Sequence, residues 1–486
     1  MSTVQYDLAV VGAGPAGMAA AIESAHRGLN VVVIDEQPRA GGQIYRQVGQ
    51  PVLQDKRILG PEYYYGADLV AEFSAAKIEV LHSATVWEIG ARHLCLSLEG
   101  SSRRISFSRL LLATGAQERP VPFPGWTTPG VMTCGAAQIM LKSSGLAPSE
   151  PLVIAGSGPL LLLIACQLQR AGVSIAAVLD TTPSRHYVEA LRELPGALRG
   201  WRYLLKGCKL LMELRSAGVK RLSGVQQLRA EGGSDGKLAR VRFRHKDREQ
   251  TLACSTLLVH QGVVPNVQLT RSLGAEHRWD ELQQCWHPCL DSGGETSVGG
   301  VFVAGDSAGI GGALVAELQG KLAAIEIASR LGDTGQQTQN TEAHDQDTQK
   351  LQQAIAQQLA IRPFLDRLYR PAAVFLRPAD ETLVCRCEEV TAGDIRSVAK
   401  NGCAGPNQAK AFSRAGMGPC QGRMCGLTVS QLMAEVHNAP VSEVGYYNIR
   451  SPIKPVTLGE LASMEPELES ELEPKLESEF VEQAKA

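Results

Sequence analysis

The stretch YDLAVVGAGPAGMAAAIESAHRGLNVVVIDE, close to the N-terminus, limits the possible folds more than any other part of the chain. An apolar run ends at Gly12, small residues (Ala16, Ala19, Ala20) line the helix face that follows, and a second apolar run, Val31 to Ile34, ends on Asp35 and Glu36. This reads as strand, glycine turn, helix and strand. In the spacing Gly12-x-Gly14-x-x-Gly17, the first glycine permits the tight turn and the second lets backbone approach a pyrophosphate. The third lets the helix pack closely on the strand. The start of the helix adds free N–H groups and a partial positive charge. A lone match to this spacing is weak. Here a strand precedes it, a helix follows it, and Asp35, with Glu36 beside it, is placed to accept from ribose hydroxyls.

The pattern recurs in PLVIAGSGPLLLLIACQLQRAGVSIAAVLD, where an apolar run ends at Gly156 and a later one at Asp180. Two nucleotide-sized α/β units in one chain imply two dinucleotide folds, one inserted in the other. The second motif reads Gly156-x-Gly158-x-x-Leu161, and a leucine in the third place is expected to push the helix away and disturb pyrophosphate binding. Asp180 would accept from a ribose and repel the 2′-phosphate of NADP, although Arg185 follows. NAD(P) binding at this unit stands open against two alternatives, a different nucleotide and a domain kept for stability.

Further residues favour FAD over NAD at the first site. DEQPRAGGQIYR sets Gly41 and Gly42 just beyond the acid, where backbone can run beside a second stretch of ligand. ATGA (113–116) and AGDSAG (304–309) add two glycine-bearing strand ends. On these residues the chain resembles the two-dinucleotide-domain flavoproteins, which include the glutathione and thioredoxin reductases, over roughly residues 5–330. The resemblance implies that Gly12, Gly14, Gly17, Asp35, Glu36, Gly42, Gly115 and Asp306 line FAD, with Ala13, Pro15, Ala16, Gln43, Thr114 and Gly305 beside them. It also implies that the backbone of Val86 meets the adenine. The family's redox-active cysteine pair is missing, so electrons must leave the flavin by another route than a disulfide.

Cysteines instead gather downstream. CRCEEVTAGDIRSVAKNGCAGPNQAKAFSRAGMGPCQGRMCG (385–426) holds five of the chain's 12. Four form the pairs Cys385-x-Cys387 and Cys420-x4-Cys425, whereas Cys403 stands alone and is not taken as a ligand. Four thiolates can hold zinc or an iron–sulfur cluster. A Cys-x-Cys pair strains two bonds to one ion, whereas a two-iron cluster spreads its ligands over two metals. The glycines of AGMGPCQGRMCG leave N–H groups free to donate to sulfur. Zinc and plain structural thiols remain the alternatives to [2Fe-2S]. The spacing resembles the small helical [2Fe-2S] domain of the bacterioferritin-associated ferredoxins, which usually close with Cys-x2-Cys. The other cysteines (95, 134, 166, 208, 254, 285, 289) read as reduced core thiols.

A flavin takes two electrons together and a [2Fe-2S] cluster takes one, so the two would make a converter. The joined architecture, with PGVMTCGAAQIML and IRPFLDRLYRP, resembles the larger subunit of opine oxidase, hydrogen cyanide synthase and D-hydroxyproline or dye-linked proline dehydrogenase, to about residue 460. That resemblance implies an electron-relay subunit of an amino-acid, imino-acid or opine dehydrogenase hetero-oligomer. Its partners would be an amine-oxidising flavoprotein subunit and, in some complexes, a small ferredoxin-like subunit. A self-sufficient NAD(P)H-dependent flavin reductase feeding its own cluster is the alternative. No catalytic residue is assigned, since His26, His82 and His93 stand outside any constellation.

The expected organisation is an α/β FAD-binding domain in two parts, 1–125 and 296–332, around an NAD(P)-binding-like domain at 126–295. A linker (333–350) turning helical from about Asp347, a [2Fe-2S] domain (351–460) and an acidic disordered tail (461–486) follow. A formal net charge of −2 gives no electrostatic reason to expect nucleic acid or an anionic membrane as a partner. No apolar stretch approaches the ~20 residues of a membrane helix, and the N-terminus has no signal-peptide pattern. A cytoplasmic location is expected.

Overall fold

The computed structural model describes residues 5–332 and 341–464. The first sheet is built from β1 (Gln5–Val11), β2 (Val31–Asp35), β3 (Glu79–His82), β4 (Thr85–Ile89), β5 (His93–Leu98) and β6 (Ser101–Leu112), in the order β3-β2-β1-β6-β5-β4. Strands β3, β2, β1 and β6 run parallel, and Val301–Val303 returns from far along the chain to pair parallel with β6. Alternation along these strands sends side chains to two faces. Leu8, Val10, Val31, Val33 and Leu111 join one apolar core, and Ala9, Val11, Val32, Ile34, Leu110 and Leu112 join the other. Both faces are covered, which explains strands that read as unbroken apolar runs.

The helix α1 (Pro15–His26) begins with proline in its first turn, where a missing N–H costs nothing. It lies in the first core. The second unit carries the sheet strands β7 (Val131–Thr133), β8 (Leu152–Ser157), β9 (Ile175–Asp180), β10 (Arg221–Ser223) and β11 (Thr256–Gln261), all parallel in the order β10-β9-β8-β11-β7. Its helices include α2 (Cys134–Ser144), α3 (Pro159–Arg170), α4 (Ser184–Ala190), α5 (Leu194–Arg199) and α6 (Trp201–Ser216). The long helix expected over 311–331 is α7 (Ala313–Gly332). Gly320 of α7 lies so close to α1 that a Cβ there would sit 2.1 Å from the Ala16 carbonyl oxygen.

The Gln-rich stretch turns helical earlier than expected, with a helix over Thr341–Leu359. Residues 333–340 of the expected linker and 465–486 of the expected tail lie outside the described residues. The cysteine region comprises a two-stranded ribbon, Leu383–Cys385 with Val390–Thr391, followed by α8 (Ala392–Lys400), α9 (Pro406–Ser413) and α10 (Gly426–His437). It packs on the first sheet, because Val384, Cys385, Val429, Leu432, Tyr446 and Tyr447 belong to the same buried cluster as Ala9, Val32 and Leu110. Two chain crossings reinforce the contact: Ile453 N donates to the Trp87 carbonyl at 2.8 Å, and Trp126 Nε1 donates to the Leu383 carbonyl at 2.7 Å. Among the described residues no helix is long and apolar enough to cross a membrane.

Candidate functional site

The first glycine turn is shaped by backbone contacts. At Gly12, φ is +106°, and a Cβ would meet the Ala113 carbonyl oxygen at 2.5 Å. At Gly17 a Cβ would fall 1.8 Å from the Gly12 carbonyl oxygen, so only glycine lets α1 start here. A Cβ at Gly14 would lie 3.9 Å from the Gly42 Cα, and Gly41 N donates to the Ala13 carbonyl at 2.8 Å. The two glycine-rich loops thus lie against each other with no side chain between them, and the helix N-terminus opens beside them. That is a cradle for a polyanionic ligand.

Asp35 accepts from Ala13 N at 2.6 Å and from Gln37 N at 2.7 Å. Burial pushes its carboxyl above the ordinary range, and the two backbone N–H groups pull against that shift. Glu36 turns instead to Lys454 of the C-terminal segment, 2.8 Å away. Val86 is buried in β4. Thr114 and Gly115 are tied by Asn266, whose Nδ2 donates to the Thr114 carbonyl at 2.8 Å and whose N–H reaches the Gly115 carbonyl at 3.0 Å. Gly305 N donates to Gln319 Oε1 at 2.9 Å, and Asp306 Oδ1 accepts from Gly311 N and Gly312 N, each at 2.9 Å.

Motif reading missed the groups that hold this site together, Asn266, Gln319 and Lys142. Asn266 and Lys142 reach the site from distant parts of the chain, and Gln319 from 14 residues beyond Gly305. Lys142 on α2 donates to the carbonyls of Gln43 and Ile44 at 3.1 and 2.9 Å and to Gln138 Oε1 at 3.1 Å. It thereby ties the second unit to the loop that carries Gly42. Burial pushes its ammonium down to about 7.

The second glycine turn is occupied differently. Gly156 lies against the His260 backbone, where a Cβ would be 1.7 Å from the carbonyl oxygen, and the Cβ position of Gly158 is 3.5 Å from the His260 ring. His260 Nδ1 meets Glu118 Oε1 at 2.6 Å, while Glu118 Oε2 accepts from Gly135 N at 2.7 Å. Leu161 is fully buried in the first core. Asp180 is buried too, paired with Arg221 and accepting from Thr182 N at 2.9 Å.

The four cysteines of the downstream region come together as two cross-pairs, Cys385 facing Cys425 and Cys387 facing Cys420. Cys385 and Cys425 are buried, Cys420 is half-buried and Cys387 is exposed. Hydrogen bonds from the Cys425 thiol and from the N–H groups of Gly416, Glu388 and Cys387 hold the Cys385 thiol down at about 5, against its burial. Among the described residues, no group of three or more His, Cys, Asp or Glu is spaced to hold a metal ion. The glycines here have a packing role that the sequence did not reveal. A Cβ at either Gly416 or Gly422 would come 2.5 Å from the Tyr447 ring, and one at Gly426 would come 2.3 Å from the Tyr446 hydroxyl oxygen. Of the remaining cysteines, Cys208 is exposed and Cys289 half-buried, so these two are not core thiols.

A cavity of about 660 Å³ lies away from both glycine turns. It opens between α4, the Arg370–Arg377 segment and α10.

Comparison with known proteins matches residues 6–332 to the pyridine nucleotide-disulphide oxidoreductase family and residues 379–465 to the sarcosine oxidase A3 domain. The chain is 44% identical to the A component of opine oxidase from Rhizobium meliloti (strain 1021), over 94% of this chain and 99% of that protein. It is 35% identical to the HcnB component of hydrogen cyanide synthase from Pseudomonas aeruginosa, over 92% of this chain and 96% of that one. The L-proline dehydrogenase structure from P. horikoshii shares the fold, with 20% identity, a TM-score of 0.66, and coverage of 94% of this chain and 80% of that one. The chain therefore belongs to the pyridine nucleotide-disulphide oxidoreductase family and, within it, to the group of flavin oxidoreductases that contains HcnB and the A component of opine oxidase.

Proposed function

We propose that this chain is the electron-relay subunit of a multi-subunit amino-acid, imino-acid or opine dehydrogenase. A second flavoprotein subunit would oxidise the carbon–nitrogen bond, in some assemblies beside a small ferredoxin-like subunit. FAD would be held at the first glycine turn by Gly12, Gly14, Gly17 and Gly42, with Asp35 toward the ribose and Asp306 at the far strand end. The backbone here fits such a group: a Cβ on Gly42 would come 2.9 Å from the Gly14 Cα, so only glycines let the two loops meet beside the N-terminus of α1. Bound flavin would supply two-electron redox chemistry.

Cys385, Cys387, Cys420 and Cys425, which lie as two cross-pairs and not as a group spaced for a single ion, would hold a [2Fe-2S] cluster, which would supply one-electron transfer. Backbone donors favour anionic sulfur at Cys385, where three N–H groups are directed, and the Cys420 N–H is directed at Cys387, while burial pushes the Cys387 thiol up and the hydrogen bond to Cys385 pushes the Cys425 thiol up. The reading rests chiefly on one observation. The cysteine region shares a buried core with the flavin-side sheet, so two redox groups held there would sit in one packed body.

The test is anaerobic purification with assays for flavin and acid-labile sulfide, then electron paramagnetic resonance after reduction. The expected result is both cofactors, and a cluster signal abolished by Cys420→Ser with flavin retained. Absence of acid-labile sulfide, or an unchanged signal in the variant, would overturn the cluster assignment.

A further inference from the structure

Two half-buried arginines stand beside the cysteine region without the carboxylate that such a group ordinarily takes. Arg271 lies between two aromatic rings, its guanidinium carbon 4.7 Å from the centroid of Trp286 and 4.7 Å from that of Tyr446. Its Nε and Nη2 are buried and have no hydrogen-bond partner among the described residues. Arg423 stands between Cys420 and Cys425 in the chain, and its guanidinium donates to two carbonyls, from Nη1 to Cys420 at 3.3 Å and from Nη2 to Ile453 at 2.7 Å. Among the described residues no acid is in electrostatic reach of Arg271, and the acid in reach of Arg423, Glu36, is paired with Lys454. Burying a cation that no anion answers is costly, and ring faces recover only part of that cost.

The anions in reach are sulfurs. Tyr446 is within electrostatic reach of both arginines and of both Cys420 and Cys425. Its hydroxyl donates to the Gly422 carbonyl at 3.3 Å, inside the cysteine loop. Gln117, two residues beyond Gly115, donates from Nε2 to the Arg423 carbonyl at 3.0 Å. The two cations therefore stand where the strand end that carries Gly115 meets the cysteine loop. Glu388, which follows Cys387, does not cancel them, because it is paired with Arg414 at 2.8 Å.

We propose that Arg271 and Arg423 are the fixed counter-charges of the four-thiolate site, raising its reduction potential so that an electron leaving the flavin is accepted there. This rests on the [2Fe-2S] reading above. On reduction the cluster gains one electron and one unit of negative charge, and net charge is among the factors that set such potentials. Both guanidiniums stay protonated throughout, so they exchange no proton with the site. They ligate no iron and act through their field alone.

The experiment is potentiometric titration of the anaerobically purified full chain, read by electron paramagnetic resonance, with acid-labile sulfide assayed on the same samples. Arg423→Met and Arg271→Met are each expected to lower the cluster midpoint by about 59 mV, which is a tenfold change for a one-electron couple, with sulfide content and circular dichroism unchanged. Arg423→Lys and Arg271→Lys keep the charge and should return the midpoint most of the way to the wild-type value. The two positions are read independently, so a variant that does not fold leaves the other to decide. A midpoint unmoved in the Met variants, with the cluster signal present, would overturn the proposal and leave the cluster reading standing. Equal shifts in the Met and Lys variants would also overturn it, since they would mark the arginines as packing groups. A wild-type chain without acid-labile sulfide would bring down the cluster reading and this proposal with it.

Discussion

The two glycine turns of this molecule share a strand–turn–helix plan and have been filled in opposite ways. At the first, Gly14 looks across at Gly42 and the third glycine, Gly17, brings α1 down onto Gly12. At the second, Gly158 looks at the ring of His260, locked by Glu118, and the third position holds the buried Leu161. The acids differ as well. Among the described residues the Asp35 carboxylate accepts from backbone N–H groups, whereas Asp180 already has a guanidinium partner in Arg221. A glycine motif thus marks a fold, and the groups packed around it decide whether space for a phosphate remains. Bare glycine backbone surrounds one turn, and in the other imidazole, leucine and an ion pair occupy the surroundings.

The largest expected effect comes from removing the space at the first turn. Gly→Ala inside a helix ordinarily gains up to about 1 kcal/mol. At Gly17 that gain is outweighed, because the new methyl would overlap a backbone oxygen at 1.8 Å that has no freedom to move. Gly17→Ala should cost about 3 kcal/mol or more, seen as a lower urea midpoint together with loss of flavin absorbance after gel filtration. A variant that kept both would break the contrast between the turns.

Lys142 connects the two units, and its effect should appear in the pH profile. Its pKa falls from 10.5 in the unfolded chain to about 7 in the folded one, through burial. Between these values the unfolded state binds the extra proton, so stability rises with pH across that window. The contribution is at most about 1.4 kcal/mol per pH unit. Urea midpoints taken from pH 7 to pH 10 should show this rise, and Lys142→Met should flatten it. Equal slopes in the two proteins would show that the lysine titrates normally and does not tie the loop.

Next in size is the buried acid of the second turn. Asp180→Asn leaves Arg221 facing a neutral amide, and Arg221 is about a third exposed, so water screens part of the loss. The expected cost is about 1–2 kcal/mol of stability, with flavin content unchanged. Loss of flavin on this substitution would mean that the two turns are coupled rather than independent.

What could be read from the chain follows the same division. Local periodicity gave both strand–turn–helix units and the long helix at 313–332, because Leu8 to Val11 and Val31 to Ile34 are apolar on both faces and the glycine spacings are local in sequence. The paired cysteines were legible for the same reason. The groups that decide what each turn can hold were not legible. His260 is 142 residues from Glu118, Asn266 is 152 from Thr114 and Lys142 is 98 from Ile44, so no spacing rule could join them. Nor could spacing show that Gly416, Gly422 and Gly426 accommodate the rings of Tyr446 and Tyr447.

The smallest expected effect concerns the second acid of the first turn. Glu36 and Asp35 are adjacent in sequence, and motif spacing alone treats them as near equivalents. The structure separates them: Asp35 is directed into the turn, while Glu36 is half exposed and pairs with Lys454 at 2.8 Å. Exposed ion pairs contribute about 0–1 kcal/mol, so Glu36→Gln should move the urea midpoint by less than about 1 kcal/mol. Asp35→Asn should instead weaken flavin retention about tenfold, because a charge-assisted acceptor toward the ribose is lost. Parallel fluorimetric titration of the two apoproteins with FAD separates the roles. If the Glu36 variant lost flavin and the Asp35 variant kept it, the ribose would belong to Glu36, and the C-terminal segment carrying Lys454 would have to move aside for the cofactor to enter.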